Sequence, residues 1–166
     1  KNMLSAALLG KAMQQRMIRR EYLAVVCGTL TGSGTVHAPI ARVKPGDVRR
    51  QVDFLCGDDA ITHYKSLLCH APYSLLSLHL ETGRTHQIRA QFRHAGCPLL
   101  GDGKYGREKD NRAYGEKGQA LCSWRLRFVF DTPAGALEYL NGKSFRTKTP
   151  EFVEKYFPAF AERIKM

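Results

Sequence analysis

The sequence predicts an α+β fold, with a mixed, mainly antiparallel sheet and peripheral helices. Three observations support this class. Short apolar segments alternate with turns containing Gly or Pro along most of the chain, a pattern typical of antiparallel strands. Helical periodicity is confined to the two ends and one short internal segment, so the regular strand–helix alternation of a parallel sheet is missing. The length of 166 residues fits one domain, 1–166.

The first half of the chain predicts one helix and four strands. Apolar residues three or four positions apart form one helical face near the N-terminus: Ala6, Leu9, Met13 and Met17. Four apolar segments follow, at 22–27, 35–38, 62–69 and 73–80. In the last of them, Leu76, Leu78 and Leu80 alternate with polar residues and therefore share one face of the sheet.

The second half of the chain predicts a short helix, an exposed loop, a strand and a terminal helix. These segments lie at 86–94, 103–118, 120–130 and 150–165. The short helix is closed by Gly96, a residue that suits a helix C-terminus. The loop is rich in Gly and charge and poor in apolar groups. The terminal helix starts with Pro150, which is favoured in the first turn, and Pro158 should interrupt it.

The charge balance favours a polyanionic partner. The chain has 26 Lys+Arg against 15 Asp+Glu, a net charge of +11. Such a surplus concentrates nucleic acid near the surface, although charge alone leaves RNA, DNA and no nucleic acid open. The loop from Arg42 to Arg50 also contains Lys44 and Arg49, so we predict that it contacts nucleic-acid phosphates, together with the mixed-charge loop at 104–117.

Several classes of protein are disfavoured by the sequence. It has no apolar run near the ~18 residues that a membrane span needs. Its five cysteines include no Cys-x-x-Cys pair, and its six histidines show no ligand spacing, so no metal site is expected. Scattered single cysteines suit a reducing cytoplasm. Because the first residue is Lys1, we expect the chain to begin inside a longer gene product.

The most informative stretch runs from Gly83 to Arg89. It places two guanidinium groups, an imidazole, an amide and a hydroxyl directly after a predicted strand. We predict that Gly83 allows a sharp turn. The first turn of the following helix would then offer free N–H groups to an anion. A solvated polar loop is the simpler explanation from composition alone.

This stretch and its surroundings resemble a known family. Residues 80–89, 96–102 and 104–106 closely resemble the third conserved motif of the RluA-type RNA pseudouridine synthases. Further pieces at 20–24, 34–36, 39–42 and 60–64 resemble other family segments in the same order. The resemblance covers nearly the whole chain. One departure is Gln91, which stands where the family commonly has a histidine.

The resemblance implies an enzyme that isomerises uridine to pseudouridine in ribosomal or transfer RNA, without cofactor or metal. By motif position, Tyr22 would pack on the target base, and Arg89 would pair with the nucleophilic aspartate. Residues expected to shape the substrate pocket are Gly83, Arg84, Thr85, His86 and Gln87, and Arg42 and Arg50 are expected to bind RNA. A general-base role for His86 is the less favoured alternative to a scaffolding role.

The nucleophile is the main departure from the family. In the family it lies in a His-Arg-Leu-Asp segment before the tyrosine strand, and this sequence contains no such segment. Asp102 belongs to a later Gly-Asp pair and is not expected to be the nucleophile. We therefore expect the chain to be the C-terminal portion of a catalytic domain, monomeric and inactive alone. A non-catalytic RNA-binding module and a basic domain with a protein partner remain the alternatives.

Overall fold

The computed structural model describes residues 3–114 and 118–165. Its strands are β1 (Ile18–Cys27), β2 (Ser33–His37), β3 (Ile40–Arg42), β4 (Arg50–Val52), β5 (Ile61–His70), β6 (Tyr73–Leu80), β7 (Leu121–Phe128) and β8 (Ser144–Arg146). Its α-helices are α1 (Met3–Gln14), α2 (Gln87–His94), α3 (Glu108–Tyr114), α4 (Glu151–Tyr156) and α5 (Pro158–Lys165), and a 3-10 helix covers Gly135–Leu140.

Six strands form one sheet in the order β2-β5-β6-β1-β7-β8, and β3 pairs with β4 in a separate hairpin. Every strand pairing within the described residues is antiparallel. The predicted α+β class is therefore confirmed. None of the helices in the described part of the chain is both long and apolar enough to cross a membrane.

The central strand β1 is covered on both faces, because its residues alternate between two cores. Leu23 and Val25 face one core, which also contains Val153 of α4 and Phe157, the residue between α4 and α5. The other core contains Ala24 and Val26 of β1, Leu76 and Leu78 of β6, and Ile88 and Phe92 of α2. Truncating a fully buried phenylalanine such as Phe92 to Ala should cost about 3–5 kcal/mol. The second core fixes α2 on the sheet.

The predicted strands at 22–27, 35–38, 62–69 and 73–80 and the predicted helix at 86–94 all correspond to observed elements. The predicted helix near the N-terminus is also present, but its predicted apolar face is wrong at Ala6 and Met13, which are exposed. Leu8, Leu9 and Ala12 face the core, whereas Met13 is exposed. The helix ends at Gln14, and the positive φ of Arg16 turns the chain so that Met17 is buried outside the helix.

The prediction of an exposed loop at 103–118 is wrong in two respects. Tyr105 is buried, and residues Glu108–Tyr114 form α3, while 115–117 lie outside the described residues. The short elements β3, β4 and β8 were not predicted, because three-residue strands show too little alternation to be recognised. The terminal helix is divided at Pro158 as predicted.

Candidate functional site

The motif turn between β6 and α2 is held by the buried amide of Gln87. Its Oε1 accepts hydrogen bonds from Thr82 Oγ1 at 2.9 Å and from the Arg84 N–H at 3.0 Å. Its Nε2 donates to the Ile61 carbonyl and to Thr62 Oγ1, both at 3.0 Å. Both ends of the amide are thus committed to the protein, so Gln87 supports the turn and does not present its amide to a ligand.

The strand-to-helix turn is sharp because of His86, not because of Gly83 as predicted. His86 has a left-handed backbone, with φ 57° and ψ 20°, and directly precedes α2. Such a conformation is costly for a residue with a side chain and is retained where the surrounding structure fixes it. Gly83 has no positive φ, and a Cβ at this position would make only an ordinary contact, 3.4 Å from Arg20 Nη2, so neither the backbone nor the packing requires glycine there.

Gln91, at the position where the family commonly has a histidine, forms a second buried amide network. Its Oε1 accepts from Thr62 Oγ1 at 2.6 Å, and its Nε2 donates to the carbonyls of Ala60, Ala38 and Val36 at 2.8, 3.2 and 3.3 Å. These bonds tie α2 to β5 and to the end of β2. Gln91 is completely buried, so its role is structural.

The carboxylate that Arg89 contacts in this chain is that of Asp102. Arg89 Nε and Nη2 donate to Asp102 Oδ2 and Oδ1, each at 2.7 Å, in a bidentate pair. The Asp102 side chain is 0% exposed and that of Arg89 is 13% exposed. Asp102 Oδ1 also accepts the N–H groups of Lys104 and Tyr105 at 3.0 Å.

The Arg89–Asp102 pair is ionised. Burial alone would raise the pKa of Asp102, but the Arg89 guanidinium and the backbone N–H groups of Lys104 and Tyr105 outweigh it and hold that pKa below its usual range. Hydrogen bonding to Asp102 raises the pKa of Arg89. A carboxylate enclosed in this way is a structural anchor, so Asp102 is not placed to attack a ligand.

Tyr105 connects three parts of the site. Its hydroxyl accepts the Arg50 N–H at 2.7 Å and lies 2.9 Å from His86 Nδ1. The Arg89 guanidinium carbon lies 4.9 Å from the centroid of the Tyr105 ring, within cation–π distance. Arg93 Nη1 donates to the Tyr105 carbonyl at 3.0 Å. Tyr105 therefore joins the β3–β4 hairpin to α2 through one buried ring.

The surroundings of His86 disfavour its protonated form. Burial lowers its pKa, and the neighbouring positive charges of Arg89, Lys104 and Arg50 lower it further. The contact between His86 Nδ1 and the Tyr105 hydroxyl supports a scaffolding role, and the choice between that role and a general base stays a prediction.

Tyr22 lies on the side of the sheet that α2 covers. It is half-buried and packs against the core formed by Ala24, Val26 and Ile88. The register between β1 and β7 shifts between Glu21 and Tyr22, and such a bulge re-aims the neighbouring side chains. Neither Tyr22 nor Arg89 lines either of the two clefts described below. A common cleft for the two functional groups thus stays a prediction.

Two basic clefts flank α2. The arginine cleft, of about 660 Å³, lies between the α1–β1 junction and the motif turn. Its lining includes four arginines, Arg16, Arg19, Arg20 and Arg84, and two carboxylates, Glu81 and Asp131. The hairpin cleft, of about 320 Å³, lies between the β3–β4 hairpin and α2, and its lining includes Arg49, Arg50, Arg93, His94 and Lys104. Both clefts are suited to anions.

The arginines of the hairpin that are predicted to bind RNA contact Asp47, in the loop between β3 and β4. Arg42 Nη1 and Arg50 Nη1 each donate to the Asp47 carbonyl at 3.3 Å. Arg49 pairs with the Asp47 carboxylate, with Nη2 and Oδ2 2.9 Å apart, and this hydrogen bond is the main reason that the pKa of Asp47 falls to about 2. Where the chain is described, no group of three or more His, Cys, Asp or Glu side chains is arranged to hold a metal ion.

Comparison with known proteins defines the class. A family model described as RNA pseudouridylate synthase matches residues 1–94. The chain belongs to this family, as its motifs predicted. It is 47% identical over 93 residues to an uncharacterized RNA pseudouridine synthase of Chloroflexus aurantiacus, a match that covers 56% of this chain and 29% of that protein.

Two further relatives are named ribosomal large subunit pseudouridine synthase D. The one from Pasteurella multocida is 44% identical over 98 residues, covering 59% of this chain and 30% of the relative. The one from Nitrosomonas europaea is 41% identical over 126 residues, covering 73% of this chain and 36% of the relative. The chain thus spans about a third of the length of these curated relatives.

A solved structure supports the fold. The human RNA pseudouridylate synthase domain containing 1 protein superposes with a TM-score of 0.72 at 20% sequence identity. The superposition covers 99% of this chain and 72% of the human chain. The sheet and helices described above are therefore those of a pseudouridylate synthase domain.

Proposed function

We propose that this chain forms the base-facing and RNA-binding part of an enzyme that isomerises uridine to pseudouridine in ribosomal or transfer RNA. The observation that carries the proposal is the folded motif turn. In a chain of this family, residues 83–89 leave the sheet on the side where Tyr22 lies, and basic clefts flank them. We propose that the enzyme is monomeric and cytoplasmic and uses no metal or cofactor.

Each proposed role follows from the position of its residue. Tyr22 is half-buried, so it can offer part of its ring to a uracil base that has left its stack. Arg84 Nε donates to the Asp59 carbonyl at 3.1 Å, and its guanidinium lines the arginine cleft, where it can hold a phosphate. Arg89 is held by Asp102, and we propose that its charge also favours the ionised form of the nucleophilic aspartate.

We further propose that the nucleophile is not among the aspartates of this chain. Asp102 is enclosed, and Asp47 is paired with Arg49. The Asp53 carboxylate accepts the N–H groups of its own turn, and Asp59 contacts His37 on the surface. None of these carboxylates lies in the setting that the family gives its nucleophile, so this chain alone should bind RNA without converting it.

The proposal is tested with an extended protein that contains the family's His-Arg-Leu-Asp segment. Formation of the new bond at C5 displaces the hydrogen there, so tritium release from RNA labelled at uridine C5 reports turnover. Arg89→Ala should lower turnover far more than RNA affinity. Tyr22→Phe keeps the ring and removes the hydroxyl, and therefore separates stacking from proton transfer.

The second candidate function is a non-catalytic RNA-binding module, which the lack of a His-Arg-Leu-Asp segment in this sequence favours. An extended protein that binds RNA with a steep salt dependence and releases no tritium would support it. Release of tritium at more than the rate without enzyme would exclude it.

A further inference from the structure

The hairpin cleft is large enough for a small ligand, and its positive charge is complementary to an anion. Its volume of about 320 Å³ is at the lower end of ligand pockets. Its cations come from three separate elements: Arg49 and Arg50 from the hairpin, Arg93 from α2, and Lys104 from the loop after Asp102. Among the described residues its lining contains no acidic side chain, and the one carboxylate paired with a lining cation is Asp47, which contacts Arg49. This arrangement is suited to a phosphate.

An aromatic ring stands at the rim of the hairpin cleft. Phe54 is 67% exposed, and its ring centroid lies 5.9 Å from that of His94, which lines the cleft. An exposed phenylalanine beside a group of cations is a combination that nucleic-acid-binding proteins use, because every base offers a face for stacking.

Phe54 is presented by an ordered turn. The Asp53 carboxylate accepts the N–H groups of Leu55 and Cys56, each at 3.0 Å. A Cβ on Gly57 would lie 2.3 Å from the Asp53 carbonyl oxygen, so only glycine fits there. The turn is thus built so that Phe54 and Leu55 point outward, the latter 94% exposed.

We propose that the hairpin cleft is a second RNA subsite, which binds one unpaired nucleotide outside the uridine pocket. Its phosphate lies against Arg49, Arg93 and Lys104, and its base stacks on Phe54 beside His94. The inference rests on the proposed function only in taking RNA as the partner. It adds a preference for RNA with an unstacked base, because a paired base cannot reach the ring.

The test is fluorescence anisotropy with this chain, using a labelled single-stranded oligouridylate and a blunt RNA duplex of equal length. Phe54→Leu keeps an apolar side chain and removes the ring. It should weaken binding of the single strand about 5- to 100-fold, as expected for one stacked base, and leave duplex binding nearly unchanged. Leu55→Ala, on the same turn, is the matched control and should change neither affinity.

Lys104→Gln separates charge from stacking. For both RNAs it should lower the slope of log affinity against log salt concentration by about one, as expected for the loss of one phosphate contact. Equal single-strand affinities of Phe54→Leu and Leu55→Ala would overturn the subsite and leave the proposed function intact. Failure of the unmodified chain to bind either RNA would overturn both, and would favour a protein partner for Phe54.

Discussion

The Arg89–Asp102 pair gives the sharpest prediction about what holds the site together. Asp102→Asn keeps the shape of the side chain and removes its charge, which leaves the Arg89 guanidinium in a site where it is 13% exposed. The oxygen of the asparagine side chain can still accept the N–H groups of Lys104 and Tyr105. The asparagine NH2 group must then face Arg89 Nε, which is also a donor. Breaking one partner of a buried pair costs about 3–5 kcal/mol.

The cost is measured by urea denaturation followed by circular dichroism. With a denaturant slope of roughly 2 kcal/mol per molar urea, the midpoint should fall by roughly 1.5–2.5 M. Asp59→Asn is the matched control, because the Asp59–His37 pair is exposed and should contribute under ~1 kcal/mol. Arg89→Met added to Asp102→Asn removes the uncompensated charge and should restore part of the stability. Equal midpoints for the two single aspartate variants would refute this reasoning.

Three other predictions concern stability and RNA. Folding lowers the pKa of Asp102, so the ionised carboxylate stabilises the fold fully above the unfolded-state pKa of about 4. This stabilisation is lost as the pH falls through the lower folded-state pKa. The difference in unfolding free energy between the protein and Asp102→Asn should therefore shrink in acid. Gln91→Leu should cost about 2–4 kcal/mol in the same denaturation assay and Gln119→Leu almost nothing, since only Gln91 is buried. Arg49→Ala with Arg50→Ala should weaken binding to all RNA sequences alike and lower the salt slope by roughly 1–2, whereas a loss confined to one sequence would contradict backbone contact.

The sequence predicted the strands well because their cores alternate cleanly. In β6, Leu76 and Leu78 face the core that holds α2, as the alternation required. In α1 the predicted face is wrong at Met13, which lies inside the helix and is exposed. Met17 is buried, but it lies outside the helix because the left-handed residue Arg16 turns the chain before it. A pattern of apolar spacings cannot reveal such a stop.

The motif turn was predictable in position but not in its contacts. The segment from Gly83 to Arg89 was predicted to connect a strand to a short helix, and it connects β6 to α2. The long-range partners of Gln87, Gln91 and Arg89 depend on tertiary structure and carry no local signal. The burial of Tyr105 was missed because its neighbours are Gly and charged residues, although its place in the motif after Asp102 was the available clue.

We propose that this chain supplies the base-facing and RNA-binding part of a pseudouridine synthase and that none of its own aspartates is the nucleophile. The most direct measurement is tritium release from C5-labelled ribosomal and transfer RNA. It compares the 166-residue chain, the chain extended by a relative's His-Arg-Leu-Asp segment, and that extended chain with the added aspartate changed to Asn. We predict release by the second protein alone. Release by the 166-residue chain at a comparable rate would contradict the account, and Asp102→Asn would then be the first variant to assay.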